Sequence, residues 1–132
     1  MSTHATGTFE GKSWDEKPYS EIDGGGKLSL ASVRNVFTGD IEGEGTLEYL
    51  LIYREDGTGP YFGAERVVGR IGERSGSFVL QHSGTFEAHG VEGTWFVVPG
   101  CGTGDLRGLR GKGGYRAAGG PQGQFTLDYD FA

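Results

Sequence analysis

The fold is decided by residues 46–98, which read TLEYLLIYREDGTGPYFGAERVVGRIGERSGSFVLQHSGTFEAHGVEGTWFVV. Four segments rich in β-branched and aromatic residues alternate there with short stretches of glycine, aspartate and proline. These segments are residues 46–54, 61–71, 77–87 and 91–98. Such a pattern is typical of strands separated by turns. Because connections this short join antiparallel neighbours, it predicts four consecutive antiparallel strands.

Comparable segments lie on both sides of this stretch. They are residues 6–14 and 28–38 before it, and 113–117 and 125–131 after it. The last segment alternates cleanly, with Phe125, Leu127, Tyr129 and Phe131 on one face. No stretch of a dozen residues shows helical periodicity with capping residues. We therefore expect an all-β chain of about eight strands with little helix, forming one domain over residues 1–132.

An antiparallel sheet of this size must protect its edges, and closing into a barrel removes them. The prediction is an eight-stranded antiparallel up-and-down β-barrel. Its interior would be filled by side chains or hold one small ligand. The 27 glycines follow no collagen period, and several fall on the face expected to point inward. There they would permit tight bends and leave space unfilled.

The composition excludes several classes of protein. Eighteen acidic against 12 basic residues give a net charge of −6, which argues against nucleic acid and anionic membranes as partners. The single cysteine, Cys101, excludes a disulfide framework within one molecule and has no neighbouring base to activate it. The apolar runs are too short for a membrane helix, and residues 1–12 lack an apolar signal segment. We therefore expect a cytoplasmic protein.

Turn positions predict which side chains share a face. Two-residue turns at 56–57, 73–74 and 89–90 would place Glu48 opposite Glu65, and Glu65 opposite His82. A four-residue loop at 40–43 would add Asn35 opposite Glu48. The four side chains would then form one row on the inner face. A slip of one residue in any hairpin would turn its partner strand's side chain to the other face.

This row carries the candidate chemistry. Two carboxylates facing each other in a desolvated interior cannot both ionise cheaply, so one pKa would rise unless a shared proton or a protonated His82 relieves the repulsion. Glu48, Glu65 and His82 are therefore the catalytic candidates, able to move a proton or to hold a polar group of a ligand. The alternative is a structural network, or a row on the outer face.

The remaining candidates would line the interior around this row. The predicted ligand-binding residues are Asn35, Phe37, Leu50, Tyr61, Phe78, Leu80, Trp95 and Tyr129. The trio of Glu48, Glu65 and His82 has suitable metal-ligand types, but there is no HxxxH spacing, and we predict neither a metal nor a cofactor.

Several blocks of the sequence carry a family resemblance. They are FEGKSWDE at 9–16, GDIEGEGT at 39–46 followed by EYL at 48–50, ERV at 65–67, RSGSFVLQH at 74–82, VPGCGTGDL at 98–106, GLRG at 108–111 and LDYD at 127–130. Together they resemble the bacterial domain-of-unknown-function 3224 family over nearly the whole chain. The sequence departs from that family at Cys101, usually a serine, and at Gly11, usually a larger residue.

The resemblance implies an allene-oxide-cyclase-like β-barrel. Residues 102–108, GTGDLRG, are also similar to a segment of plant allene oxide cyclases and dirigent proteins. The family has no established activity, and a fold does not carry a function.

We therefore expect cofactor-free binding of a small, mostly apolar molecule in the barrel, with cyclisation or isomerisation in which Glu48 or Glu65 handles a proton. The alternative is a non-catalytic protein with a filled barrel, acting in binding, stress response or assembly. Leu51, Phe62 and Phe96 fall on the predicted outer face, which favours a homo-oligomer.

Overall fold

The structure, a computed structural model, describes residues 2–132. Nine strands run through this part of the chain, and it contains no helix. The strands are β1 (Thr3–Ile22), β2 (Gly26–Gly39), β3 (Ile41–Tyr53), β4 (Gly59–Ile71), β5 (Arg74–Glu87), β6 (Gly90–Val97), β7 (Thr103–Gly104), β8 (Leu109–Ala117) and β9 (Gln122–Phe131). No helix that could cross a membrane occurs among these residues.

The eight long strands close into an antiparallel barrel. Each of them pairs with the next along the chain, and β9 returns to pair with β1. The two-residue strand β7 pairs with the beginning of β5, where Ser77 lies opposite Thr103. The predicted eight-stranded antiparallel up-and-down barrel is confirmed, with β7 as an additional short strand.

The first strand extends well beyond its predicted end at residue 14. Its pairing with β9 stops at Glu10, whereas its pairing with β2 continues to Ile22. The far half of β1 is therefore an edge, where polar side chains and Pro18 are tolerated because no second neighbour needs their backbone groups. Register shifts between Gly11 and Ser13 and between Pro18 and Ser20 bend this edge.

One end of the barrel is packed solid, and aromatic rings there cover inward-facing glycines. A Cβ on Gly7 would lie 2.7 Å from the ring of Phe125. Further along the barrel, a Cβ on Gly123 would likewise meet the ring of Phe9, which borders the interior cavity. At these two positions aromatic rings occupy the room that glycine provides. The core residues with no exposed surface include Leu47, Val67, Phe78, Leu80, Leu106 and Leu127.

The hairpin between β3 and β4 corrects the predicted register by one residue. Arg54 and Thr58 are hydrogen-bonded across a three-residue turn, with Gly57 at φ +85°. A three-residue hairpin turn of this kind places its glycine in the left-handed conformation. It replaces the two-residue turn that the sequence predicted at 56–57. As a result, Glu65 lies opposite Leu47, and Glu48 lies opposite Ala64. The predicted pair of Glu48 and Glu65 is wrong, and Glu48 faces outward.

The other predicted pairings also shift. Only Asp40 separates β2 from β3, so Asn35 lies opposite Gly45 and not Glu48. The turn between β4 and β5 consists of residues 72–73, and the turn between β5 and β6 consists of residues 88–89. Each begins one residue earlier than the turn predicted from the sequence. These two turns shift the pairing by two residues, which keeps Glu65 and His82 on the inner face.

The outer face retains exposed apolar side chains. Leu30, Phe62 and Val68 are each 50% exposed, and Phe96 is 42% exposed. Leu51, predicted to lie there, is only 4% exposed because the corrected register turns it inward. A homo-oligomer through this face stays a prediction.

A row of glycines lets neighbouring strands approach closely at the solid end, and substitution of one glycine tests this role. Gly43, Gly69 and Gly76 lie opposite one another on β3, β4 and β5. A Cβ on Gly69 would overlap the carbonyl oxygen of Glu42. We expect Gly69→Ala to lower the free energy of unfolding by about 1–3 kcal/mol in urea denaturation, because the strands must separate.

The control for this test is Gly11→Ala. A Cβ on Gly11 would have its nearest neighbours at 3.7 Å, which is ordinary van der Waals contact. Its effect should stay within about 1 kcal/mol. Equal losses in both variants would contradict the role given to close approach.

Candidate functional site

Two tyrosines meet across a pair of glycines in the barrel interior. Tyr61 on β4, Gly84 on β5, Gly93 on β6 and Tyr115 on β8 form one cross-strand row. The two tyrosines are three strand spacings apart, about 14 Å, and each side chain spans roughly half of that gap. Their hydroxyl groups form a hydrogen bond of 2.6 Å. A Cβ on Gly93 would lie 2.6 Å from both hydroxyl oxygens, so glycine is required beneath them.

The hydrogen bonds continue from Tyr115 into the barrel. The Tyr115 hydroxyl lies 2.8 Å from His82 Nδ1, and His82 Nε2 lies 2.9 Å from Glu65 Oε1. Asn35 Nδ2 donates to the second carboxylate oxygen, Glu65 Oε2, at 3.0 Å. Asn35, Glu65, His82, Tyr115 and Tyr61 thus form one connected set, which we call the buried network.

The carboxyl group of Glu65 is fully enclosed. It has no exposed surface, and His82 is 2% exposed. Among residues 2–132, His82 is the only basic side chain within 4 Å of this carboxyl group. Gly45 makes room for the group, because a Cβ there would lie 2.8 Å from Glu65 Cδ. Every oxygen of the carboxyl group nevertheless has a hydrogen-bond partner, which is what a buried carboxyl group requires.

Aromatic rings hold His82 in place. The ring of Trp95 contacts the imidazole edge to face, with centroids 5.3 Å apart at 87°. The ring of Tyr49 also contacts the imidazole edge to face, from another side, with centroids 5.7 Å apart and an interplanar angle of 85°. Trp95 is itself fixed by a 2.9 Å hydrogen bond from Nε1 to the carbonyl oxygen of Thr126. The imidazole therefore has both a fixed orientation and a fixed pair of hydrogen-bond partners.

A cavity of about 340 Å³ adjoins the buried network at the hollow end of the barrel. Most of its lining is apolar or aromatic, with polar contributions from Tyr61, Tyr115 and Asn35 and from the exposed Ser13. The other lining residues include the buried Val33 and Leu51 and the partly buried Phe86, Val91, Tyr49 and Tyr53. Exposed lining residues mark its mouth: Trp14 on β1 and Gly120 and Pro121 between β8 and β9.

A much smaller void lies between this cavity and Glu65. Its volume is about 10 Å³, close to the space that one water molecule needs. Its lining includes Asn35, Glu65, His82 and Tyr115. Asn35 and Tyr115 border both spaces, so they separate the carboxyl group from the cavity.

Burial fixes the protonation state of the tyrosines. It raises the pKa of Tyr61 to about 12, although the hydrogen bond with Tyr115 lowers the pKa in part. It also raises the pKa values of Tyr115 and Tyr49 far above the ordinary tyrosine value. All three hydroxyl groups are therefore neutral near pH 7. Each carries one proton that it can donate.

The structure brings together three of the four residues of the predicted row. Asn35, Glu65 and His82 belong to the buried network, whereas Glu48 is exposed and accepts a hydrogen bond of 2.7 Å from Ser32 on the outer face. The predicted repulsion between two facing carboxylates does not arise, and the trio considered for a metal is split. The cause is the three-residue hairpin between β3 and β4.

The predicted ligand-binding residues fall into four groups. Asn35 and Tyr61 line the cavity, and Phe37 and Trp95 line the small void. Phe78 and Leu80 belong to the closed core. Leu50 is placed on the outer face by the corrected register, and Tyr129 lies at the solid end against Phe131, with ring centroids 6.1 Å apart.

Sequence reasoning missed two tyrosines. Tyr115 lies in the segment predicted as a weak strand, and its signal was the pair of inward glycines, Gly84 and Gly93, which leave room for a large side chain opposite. Because the predicted register turns Glu48 inward, it turns the next residue, Tyr49, to the outer face. The signal for its true orientation was Gly57, which is suited to a three-residue hairpin.

Comparison with known proteins supports the fold. The model of the family described as "Protein of unknown function (DUF3224)" matches residues 5–129. Among solved structures, the chain is similar to the 1.84 Å crystal structure of a DUF3224-family protein of unknown function from Shewanella oneidensis MR-1. The two are 29% identical, with a TM-score of 0.80 over 100% of this chain and 99% of the other. No curated protein matches the chain.

The raised pKa of Tyr61 predicts a loss of stability at alkaline pH. In the unfolded chain this hydroxyl ionises near its ordinary value of 10, while in the folded protein it keeps its proton up to about 12. Between these values the folded state binds more protons, so the free energy of unfolding falls as pH rises, by about 1.4 kcal/mol per pH unit for this group at most.

Urea denaturation from pH 9 to 12 measures this effect. Tyr61→Phe removes the titrating group, so its free energy of unfolding should fall less steeply above pH 10 than that of the native protein. Lysine titration is common to both proteins and cancels in the comparison. Parallel curves would show that the Tyr61 hydroxyl ionises equally well in both states.

Proposed function

The chain belongs to the DUF3224 family, whose description names no activity, and we propose from the site itself that the barrel binds a small, mostly apolar molecule and isomerises it by proton transfer without a cofactor. One observation carries the proposal. A continuous series of hydrogen bonds runs from the enclosed Glu65 through His82 and Tyr115 to Tyr61, which lines the cavity.

The cavity has the properties of a small-molecule site. Its volume of about 340 Å³ lies within the range of ligand pockets, and its apolar lining would receive the body of the ligand. Tyr61, Tyr115 and Asn35 are its convergent polar groups. Few polar groups in an apolar pocket fix the orientation of a ligand, so an oxygen atom of the ligand would be directed to the tyrosine hydroxyls.

The buried network has the arrangement of a general acid–base system. In such systems a base exchanges protons with the substrate, and a carboxylate orients the base. Here His82 is the base, Glu65 orients it, and the tyrosine hydroxyls extend its reach into the cavity. A proton taken from the ligand would pass along the hydroxyls to His82, and its return to a different ligand atom would give an isomer.

The cavity also favours the related reaction of cyclisation. A flexible substrate confined by rigid aromatic walls is held in few conformations, which shortens the distance between reacting atoms and excludes water. Trp14, Tyr49 and Tyr53 would supply such walls. The net charge of −6 fits a bacterial cytoplasmic protein that acts on small molecules rather than on nucleic acid or membranes.

A non-catalytic barrel is the second candidate, and the solid end of the barrel favours it. Phe37, Phe78 and Trp95 fill that half and leave no room for a ligand. A binding experiment on the hollow half separates the two candidates.

The test is native mass spectrometry of the protein purified from its own host. We expect a non-covalently retained small molecule in the native protein and in Val68→Trp, whose position is half-exposed on the outer face. Val91→Trp places an indole in the cavity and should remove most of the retained mass. Equal retention in both variants would place the ligand elsewhere, and no retained mass in any protein would favour the non-catalytic barrel.

A further inference from the structure

The direction of the hydrogen bonds in the buried network is fixed at one end. The Asn35 side-chain nitrogen can only donate, so Glu65 Oε2 must accept. The other oxygen, Oε1, faces His82 Nε2, where exactly one proton is needed between the two atoms. Whether this proton belongs to the imidazole or to the carboxyl group decides the direction of every hydrogen bond beyond it.

In the first arrangement Glu65 is a carboxylate and His82 is neutral. His82 Nε2 then donates to Glu65, and Nδ1 must accept from the Tyr115 hydroxyl. Because the only hydroxyl proton of Tyr115 is donated to His82, the Tyr115 oxygen must accept a hydrogen bond from Tyr61. Tyr61 has likewise used its proton, and it presents only an acceptor oxygen to the cavity.

In the second arrangement the network holds one more proton, on Glu65 or on His82. His82 Nδ1 then carries a hydrogen and donates to Tyr115. Tyr115 donates to Tyr61 across the 2.6 Å contact rather than to Tyr49, whose hydroxyl group also interacts with Tyr115, and the Tyr61 proton points to the cavity. A single added proton therefore converts the cavity end of the network from an acceptor to a donor.

We infer that the ligand carries an oxygen that alternates between hydroxyl and carbonyl, so that the substrate class is small apolar ketones or aldehydes and their enols. This inference rests on the proposed function. An enol hydroxyl matches the first arrangement, because it donates to Tyr61. A carbonyl oxygen matches the second arrangement, because it accepts from Tyr61.

The proposed step is balanced in protons and electrons. The enol O–H bond breaks as its proton passes to the Tyr61 oxygen, and the Tyr61 proton passes to Tyr115. The Tyr115 proton passes to His82 Nδ1, which leaves an enolate in the cavity. Tyr61 then gives a proton to the α-carbon, the C=C electrons form the new C–H bond, and the enolate oxygen becomes the carbonyl. A proton moves from Tyr115 to Tyr61 and another from His82 Nδ1 to Tyr115, which returns the network to the first arrangement. Its acceptor oxygen no longer matches the carbonyl, and this mismatch favours release of the product. The network is restored, and no oxidant or reductant is consumed.

Few other titratable groups lie against the Glu65–His82 pair. The titratable side chains facing the Glu65–His82 pair are Tyr49 from β3, Tyr61 from β4 and Tyr115 from β8, all of them buried phenols that stay neutral near pH 7. The neighbours from β1, β2 and β6 are Phe9, Asn35 with Phe37, and Trp95. The added proton therefore belongs to Glu65 or His82.

Two bicyclic probes of similar size test the inference on the native protein. Indole has an N–H donor and no strong acceptor, whereas 1-indanone has a carbonyl acceptor and no donor. We expect isothermal titration calorimetry in buffers of different ionisation enthalpy to show up to about one more proton taken up with 1-indanone than with indole. Because 1-indanone binding takes up the additional proton, the ratio of 1-indanone to indole affinity should fall as pH rises, by up to about tenfold per pH unit.

The outcomes separate this inference from the function beneath it. Binding of both probes with equal proton uptake and a constant affinity ratio would overturn the inference and leave small-molecule binding intact. Failure of both probes to bind in the cavity would contradict the proposed function, and the inference with it.

Glu65→Gln gives a second test, because the amide fixes the direction of the network. Its oxygen accepts from Asn35 and its nitrogen donates to His82 Nε2, so His82 keeps its hydrogen on Nδ1. We expect this variant to prefer 1-indanone at every pH. Its rate of exchanging the α-protons of 1-indanone for deuterium in D₂O, followed by NMR, should fall by about 100-fold or more.

Glu48→Gln is the matched control, the same chemical change on the outer face, and it should behave as the native protein in both measurements. If Glu65→Gln does not fold, Tyr115→Phe separates Tyr61 from His82 and should abolish the pH dependence of the affinity ratio. Native-like exchange and an unchanged pH-dependent ratio in the variant that folds would refute the inference.

Discussion

The structure depends on the requirement that an enclosed carboxyl group be fully hydrogen-bonded. Glu65 has no exposed surface, and an ionised carboxylate that lost a partner there would cost several kcal/mol. Asn35 on β2 and His82 on β5 provide the hydrogen-bond partners of its two oxygens. His82 then needs a partner for its other nitrogen, and Tyr115 supplies it. Each side chain of the buried network thus satisfies a hydrogen-bonding group of its neighbour.

Glycine decides which parts of the barrel are solid and which can hold this network. At the solid end, Gly7 lies under the ring of Phe125, so the missing side chain is replaced by a neighbour's ring. Beneath the tyrosine pair, Gly84 and Gly93 receive polar hydroxyls instead of apolar rings. The same residue type therefore serves packing in one half and a polar network beside a cavity in the other. The difference lies in the side chains that flank the glycines along each cross-strand row.

Much of the fold could be predicted from alternation, because strand and turn residues differ sharply in composition. The register could not, because it depends on turn conformation. Gly57 allows a three-residue turn that two-residue counting misses, and that single residue moves Glu48 to the outer face and Tyr49 to the inner one. The sequence placed Glu65 and His82 correctly on the inner face because the predicted register between β4 and β5 was wrong by two residues. An even error leaves each side chain on its original face. Tyr115 was missed because its partners His82 and Tyr61 lie on strands distant in sequence. The glycines Gly84 and Gly93 indicate space for a large side chain but do not identify which one fills it.

The position of the network argues for a role beyond stability. A buried polar set is at best a weak source of stability, and well-packed apolar residues of similar volume often stabilise a core equally well or better. The solid half of this barrel shows that the chain can fill its interior with aliphatic and aromatic side chains. At the boundary with the cavity it instead places a carboxyl group, an imidazole and two phenols within hydrogen-bond distance of one another. A network needed only for rigidity would gain nothing from ending at a cavity, whereas one that exchanges protons with a ligand must end there.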